Sequence, residues 1–219
     1  MIASRFAELT VEEVANSLTH GFGLLLSIAG FFALIWLAAA RGGTLPVIAS
    51  VIYGASLVTL YAASTFYHTA VAPELKKRLQ ILDHCCIYLL IAGSYTPLAL
   101  LVFRDSFGTG LLIFAWTFAV FGIAIKLIFG NKYSVIGVIS YLAMGWVGVL
   151  AVKPMYTALG AFPLALMVAG GVAYSLGVIF FGWHSIRHHH AIFHVFVLAG
   201  SVIHYFAIVF YVIPFVFPG

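Results

Sequence analysis

Charge is what this sequence most lacks. Only 7% of its 219 residues are charged and 64% are hydrophobic, with a mean hydropathy of +1.15. So few charges cannot cover a water-facing surface, which excludes a water-soluble domain. The apolar surface must face lipid instead. Alternating polarity over stretches of about ten residues is also missing, and that excludes a membrane β-barrel. Cysteine is nearly absent. Cys85 and Cys86 are the only two, and neighbours in a helix point about 100° apart. An intramolecular disulfide between them is not expected, and they read as small core residues. No nucleic-acid partner is expected.

What remains is long apolar sequence. Charge-free intervals run 14–40, 42–73, 84–103, 106–125, 133–152, 154–186 and 188–219. Each is long enough for the roughly 20 residues that cross a hydrocarbon core. The expected fold is an all-α membrane protein, a seven-transmembrane helix bundle forming a single domain over 1–219. The approximate spans are 18–40, 46–69, 80–103, 107–129, 133–152, 159–182 and 190–215. Residues 1–17 carry Arg5, Glu8, Glu12 and Glu13 ahead of a span of full length, so no cleavable signal peptide is expected. Thr10 with Glu13 three residues on reads as a capping box that starts a helix near Val11.

Lys and Arg are unequally shared between alternate sides. Arg5, Lys76, Lys77, Arg78, Lys126, Lys132 and Arg187 fall on one side, against Arg41, Arg104 and Lys153 on the other. The positive-inside rule then places the N-terminus in the cytoplasm and the C-terminus outside, in a multi-pass protein of the plasma or inner membrane.

Ionisable residues are costly in hydrocarbon and tend to face a bundle interior, so they carry the functional signal. His20 opens the first span, His68 closes the second, Asp83 and His84 open the third, and His188, His189, His190 and His194 open the seventh. All fall at the same end of their helices. The spacing is helical: His190 and His194 are i and i+4, as are Ser64 and His68, while Glu13, Asn16 and His20 form an i, i+3, i+7 stripe. Glu13, Asn16 and His20 are expected to line the polar site.

This pattern suits zinc. Neutral imidazoles bind it readily, two His at i, i+4 form half a site, and a third His from another helix leaves one position open to water. Asp83 could orient a ligand or act as a general base toward that water. Ser64, one turn from His68, could orient that imidazole or donate a hydrogen bond to a developing oxyanion. Each element alone is weak, since a lone His near a membrane interface is more often a hydrogen-bonding or snorkelling residue than a ligand. His204, about 15 Å deeper than His194, reads as a packed residue, and His184 as interfacial. Gly93, Ser94, Thr96 and Pro97 read as a close-packed, kinked helix segment.

Taken in order, several motifs resemble the progestin and adipoQ receptor (PAQR) family, in its bacterial hemolysin III branch. They are Glu13-x-x-Asn16-x-x-Thr19-His20-Gly21, Ser64-x-x-x-His68, Asp83, Ile91-Ala92-Gly93-Ser94-Tyr95-Thr96-Pro97 and His190-Ala191-Ile192-Phe193-His194. The resemblance covers nearly the whole chain. It implies seven helices with the N-terminus inside, zinc held by His68, His190 and His194, and Ser64 and Asp83 beside it. It also implies kinship with ceramidase-like hydrolysis and with membrane-lipid homeostasis. His188 and His189 stand beside His190 and leave the register of the seventh-helix pair to be fixed by the structure.

The function expected is a zinc-dependent intramembrane hydrolase of a lipid amide or ester, with a membrane lipid as substrate or ligand. A non-enzymatic membrane regulator or receptor with a structural zinc is the alternative. A pore-forming cytolysin ranks lower, because the chain offers no soluble state.

Overall fold

A computed structural model describes residues 9–215, so Arg5 and Glu8 of the sequence reading lie outside the described residues. Seven helices are long and apolar enough to cross a membrane. They are α1 (Val11–Arg41), α2 (Thr44–Thr69), α3 (Pro73–Pro97, extended by a π-helical turn over Leu98–Val102) and α4 (Ser106–Phe129). They continue with α5 (Ser134–Leu159), α6 (Ala161–Gly182) and α7 (His189–Ala207, extended by a π-helical turn over Ile208–Val212). There is no strand among the described residues. The chain is a multi-pass membrane protein with an all-α seven-helix architecture.

The bundle is built for lipid outside and small or polar residues inside. On α1, Leu18, Leu25, Phe32 and Trp36 are exposed, whereas Asn16, His20, Gly23 and Ser27 are buried. In lipid this inversion stabilises the helix, because close packing and interhelical hydrogen bonds replace water exclusion as the driving force. α3 is the most enclosed of the seven. It packs on α2 and α4, α2 packs on α1, and α6 packs on α7, while α7 closes back against α1. Tyr95 on α3 reaches α5, donating its hydroxyl to the carbonyls of Met144 and Gly145 while accepting the Gly148 N–H.

α1 begins at Val11, as the capping box predicts: the Thr10 hydroxyl accepts the Glu13 N–H at 3.3 Å. Two other helix boundaries differ from the charge-based reading. α3 begins at Pro73, whose fixed φ suits a first helical turn. Its Lys76, Lys77 and Arg78 therefore sit on a helical extension of the apolar span. α5 runs past Lys153 to Leu159. It is interrupted by a 3-10 turn over Val147–Ala151 and ended by Gly160, which takes φ 87°.

The Gly93 to Pro97 segment is close-packed but α-helical throughout, and the irregular turn follows it. Pro97 leads into the π-helical turn, and a Cβ on Gly93 would overlap the Ser56 side chain on α2. Cys85 and Cys86 are free and buried.

Gly93→Leu should therefore force α2 and α3 apart and destabilise the fold by about 1–3 kcal/mol, the usual effect of overpacking. Gly171→Leu, where an added Cβ meets nothing within 4 Å, is the matched control. Thermal unfolding in detergent should show a lowered midpoint for the first variant and an unchanged one for the second.

Candidate metal centre

Because consecutive helices alternate in direction, the starts of α1, α3, α5 and α7 share one end of the bundle with the ends of α2, α4 and α6. The polar side chains gather at that end. Capping by Thr10 sets the α1 register, so Glu13, Asn16 and His20 turn inward toward α2 and α7. On α7, His188 occupies the position before the helix in a left-handed conformation, φ 58°. That turn fixes the register that the sequence leaves open. His189 faces α6, where it meets the Phe180 carbonyl and His184, and His190 and His194 turn to the interior together.

His68, His190 and His194 each offer a ligand nitrogen, and these atoms lie within 4.8 Å of one another. The ring centroids are 5.0 Å apart for His68 and His190, 5.0 Å for His68 and His194, and 4.6 Å for His190 and His194. This trio could hold a metal ion.

The surrounding hydrogen bonds decide which nitrogens are available. Glu13 Oε2 lies 2.6 Å from His68 Nδ1. A carboxylate can only accept, so the Nδ1 proton is held there and Nε2 keeps its lone pair. That Nε2 is buried and has no partner among the described residues. His194 Nδ1 donates to the Asn16 carbonyl at 3.2 Å, which likewise leaves the Nε2 lone pair for a metal. The Thr19 hydroxyl lies 3.2 Å from the same His194 Nδ1. Three neutral imidazole donors with no thiolate suit zinc, copper, iron or nickel. The residues present fit such an ion.

Other residues named by the sequence take up supporting positions. His20 stacks on His194, with centroids 3.5 Å apart and planes 15° from parallel. Its Nδ1 lies 2.7 Å from the Ser64 hydroxyl. Ser64 thus contacts His20, and it also meets the Asp83 carboxyl on α3. Orienting His68 falls to Glu13. Asp83, Ser64 and His20 form a polar chain that runs from α3 through α2 to α1 beside the three-histidine group. Asp83 is buried, at 9% exposure.

Sequence reasoning did not single out Lys76, whose ammonium lies 2.8 Å from Glu13 Oε1 and so holds the carboxylate from its other side. Its position in the basic run after α2 was the available signal. Thr19 was equally visible, within the α1 stripe. The structure places His204 apart from the trio, with Nε2 donating to the Met167 carbonyl at 2.9 Å. His184 is exposed, and His84 does not join the group.

Comparison with known proteins is consistent along the chain. A family model described as haemolysin-III related matches residues 9–205. The chain is 42% identical to hemolysin-3 of Bacillus cereus over 211 residues, 96% of each chain. It is 42% identical over 200 residues to the hemolysin-3 homolog of Bacillus subtilis (strain 168), covering 91% of this chain and 94% of that one. The human monocyte to macrophage differentiation factor is 32% identical over 212 residues, covering 93% of this chain and 86% of its own.

Losing the group that orients a ligand imidazole typically lowers metal affinity 10–100-fold, and Glu13→Ala is expected to do so here. His68→Ala should remove stoichiometric binding altogether. Competition titration of the purified protein against a chromogenic zinc chelator reads both. An affinity for Glu13→Ala equal to wild type would refute the role given to this carboxylate.

Proposed function

Since the chain belongs to the haemolysin-III related family, we propose that its three histidines bind zinc and that the centre hydrolyses an amide or ester linkage of a membrane lipid, serving membrane-lipid homeostasis. The observation that carries this reading is the buried, unpartnered Nε2 of His68 beside His190 and His194, with the Asp83–Ser64–His20 chain alongside. Three histidines are one of the ligand sets of catalytic zinc, which keeps a further position for water or substrate.

Zinc, when bound, polarises the carbonyl oxygen and makes water a stronger acid. The remaining work falls to the chain's own side chains. Asp83 takes the proton of the attacking water as general base and delivers it to the leaving group. Ser64, bonded to His20 and acting on the Asp83 carboxyl, links that base to the side of the histidine group. Glu13 and Lys76 hold His68, and the Asn16 carbonyl holds His194. The location suits the substrate class, since the centre lies at one end of the membrane-spanning helices, the region in which lipid headgroup linkages lie. Lys76, Lys77, Arg78, Lys126, Lys132 and Arg187 mark that end as the cytoplasmic one.

A second reading is favoured by one observation, that the trio ties α2 to α7. In it zinc only staples the helices of a non-enzymatic membrane regulator. The two readings part at Asp83.

Asp83→Asn is expected to keep stoichiometric zinc and an unchanged unfolding midpoint while losing about 10²–10⁴-fold in rate, as removal of a general base does. His190→Ala should lose zinc and activity together. The assay is fatty-acid release from a panel of ceramides and phospholipids by purified protein, with and without chelator. Absence of zinc-dependent release from every member of the panel would sink the hydrolase reading and leave the staple.

A further inference from the structure

Away from the histidines, an apolar groove of about 500 Å³ opens on the outer face of the bundle between α4 and α5. Its long wall is the α4 stripe Gly110, Ile113, Phe114, Thr117, Phe121 and Ile125, which recurs at helical spacing. Ile113, Phe121 and Ile125 are more than half exposed, so this face meets lipid. From Gly110 to Lys126 the stripe measures about 24 Å, most of the thickness of a hydrocarbon core.

The groove is not apolar to its end. Lys126 lines it and is 6% exposed. No salt bridge to its ammonium is made among the described residues, and Asp83 acts on it only through space. A cation this enclosed without a bonded counter-ion is costly in a membrane protein. A second cation stands at the same end. Lys132 places its ammonium 5.4 Å from the ring centroid of Tyr133, which also lines the groove. Asn131, in the turn between α4 and α5, donates to Gln80 on α3 and so fixes this turn against the basic start of α3.

From this juxtaposition of a lipid-facing acyl groove and an enclosed Lys126 that makes no salt bridge among the described residues, we infer that the α4–α5 cleft is a binding site for an anionic phospholipid of the surrounding leaflet. An acyl chain lies along the α4 stripe, and the phosphate pairs with Lys126 and Lys132. Charge complementarity selects the headgroup, and membrane burial supplies the chain. A basic pocket at helix ends is the setting in which acidic lipid headgroups are recognised. The inference is independent of whether the histidine centre hydrolyses anything.

Native mass spectrometry of the full chain, reconstituted with phosphatidylcholine and phosphatidylglycerol in equal amounts, tests it. Wild type should retain phosphatidylglycerol preferentially. Lys126→Gln should reduce that retention about fivefold, the effect of one cation near the headgroup, and Lys126→Arg should restore it. Gly137→Leu fills the groove while keeping both lysines, since a Cβ there meets nothing closer than 3.7 Å, and it should also weaken retention. Equal retention of the two lipids by wild type overturns the proposal, as does retention by Lys126→Gln at the wild-type level. Recovery of a free fatty acid in place of phospholipid overturns it too, by assigning the cleft to a different occupant.

Discussion

The hydrogen bond between Glu13 and His68 is the contact on which the polar end of this bundle depends. At 2.6 Å it joins α1 to α2 and fixes the proton on His68 Nδ1, turning Nε2 toward the α7 histidines. Lys76 takes the other carboxylate oxygen at 2.8 Å, so an acidic side chain at a helix start is neutralised from two directions. The Thr10 cap places Glu13 where it can do this. The carboxylate of a capping box ordinarily reaches back to its own N-cap, whereas this one reaches across to another helix.

Membrane solvation explains why the remaining polar contacts take the form they do. A hydroxyl or imidazole in hydrocarbon must find a partner inside the protein, and most here find the nearest one. Ser17, Ser27, Thr65 and Ser94 each donate to a carbonyl one turn back on their own helix. Between helices the longer side chains make the bonds. Tyr61 and Tyr174 both meet the Ser201 hydroxyl, and Tyr205 donates to the Gly30 carbonyl, stitching α7 to α1, α2 and α6. These contacts lie in the bundle between the histidine end and the opposite face, and they fix α7 against its neighbours. The geometry of His190 and His194 inherits its constancy from them.

The seven spans were legible because their signal is length and charge exclusion, which a single sequence displays in full. Their ends were less so. Lys153 reads as a boundary, yet α5 passes through it, because one lysine can lie along a helix with its head turned to the interface. The i, i+4 pair on α7 and the polar stripes on α1 and α2 were also visible, since helical periodicity converts spacing into facing. What spacing cannot convey is which stripe meets which. Ser64 and His68 share a face of α2, yet Ser64 contacts His20 and Asp83 while Glu13 holds His68. The register of His188, His189 and His190 was equally closed to sequence. It is set by a left-handed residue at the helix start, and left-handed backbone at a histidine leaves little trace in composition.

One histidine of α7 shows why a place among packed helices does not by itself identify a ligand. His204 is enclosed within the bundle, against Gly170, and its Nε2 is bonded to the Met167 carbonyl. That nitrogen is engaged within the fold and lies apart from the trio. At the other end of the bundle, Asn16 Oδ1, His20 Nε2 and His68 Nε2 are all buried without a partner among the described residues. Each such atom costs about 1–3 kcal/mol if left unmet. Three of them on neighbouring side chains, beside His190 and His194, would be a poor way to build a structural core. The same arrangement is what a site has when its donors are kept available for something that binds.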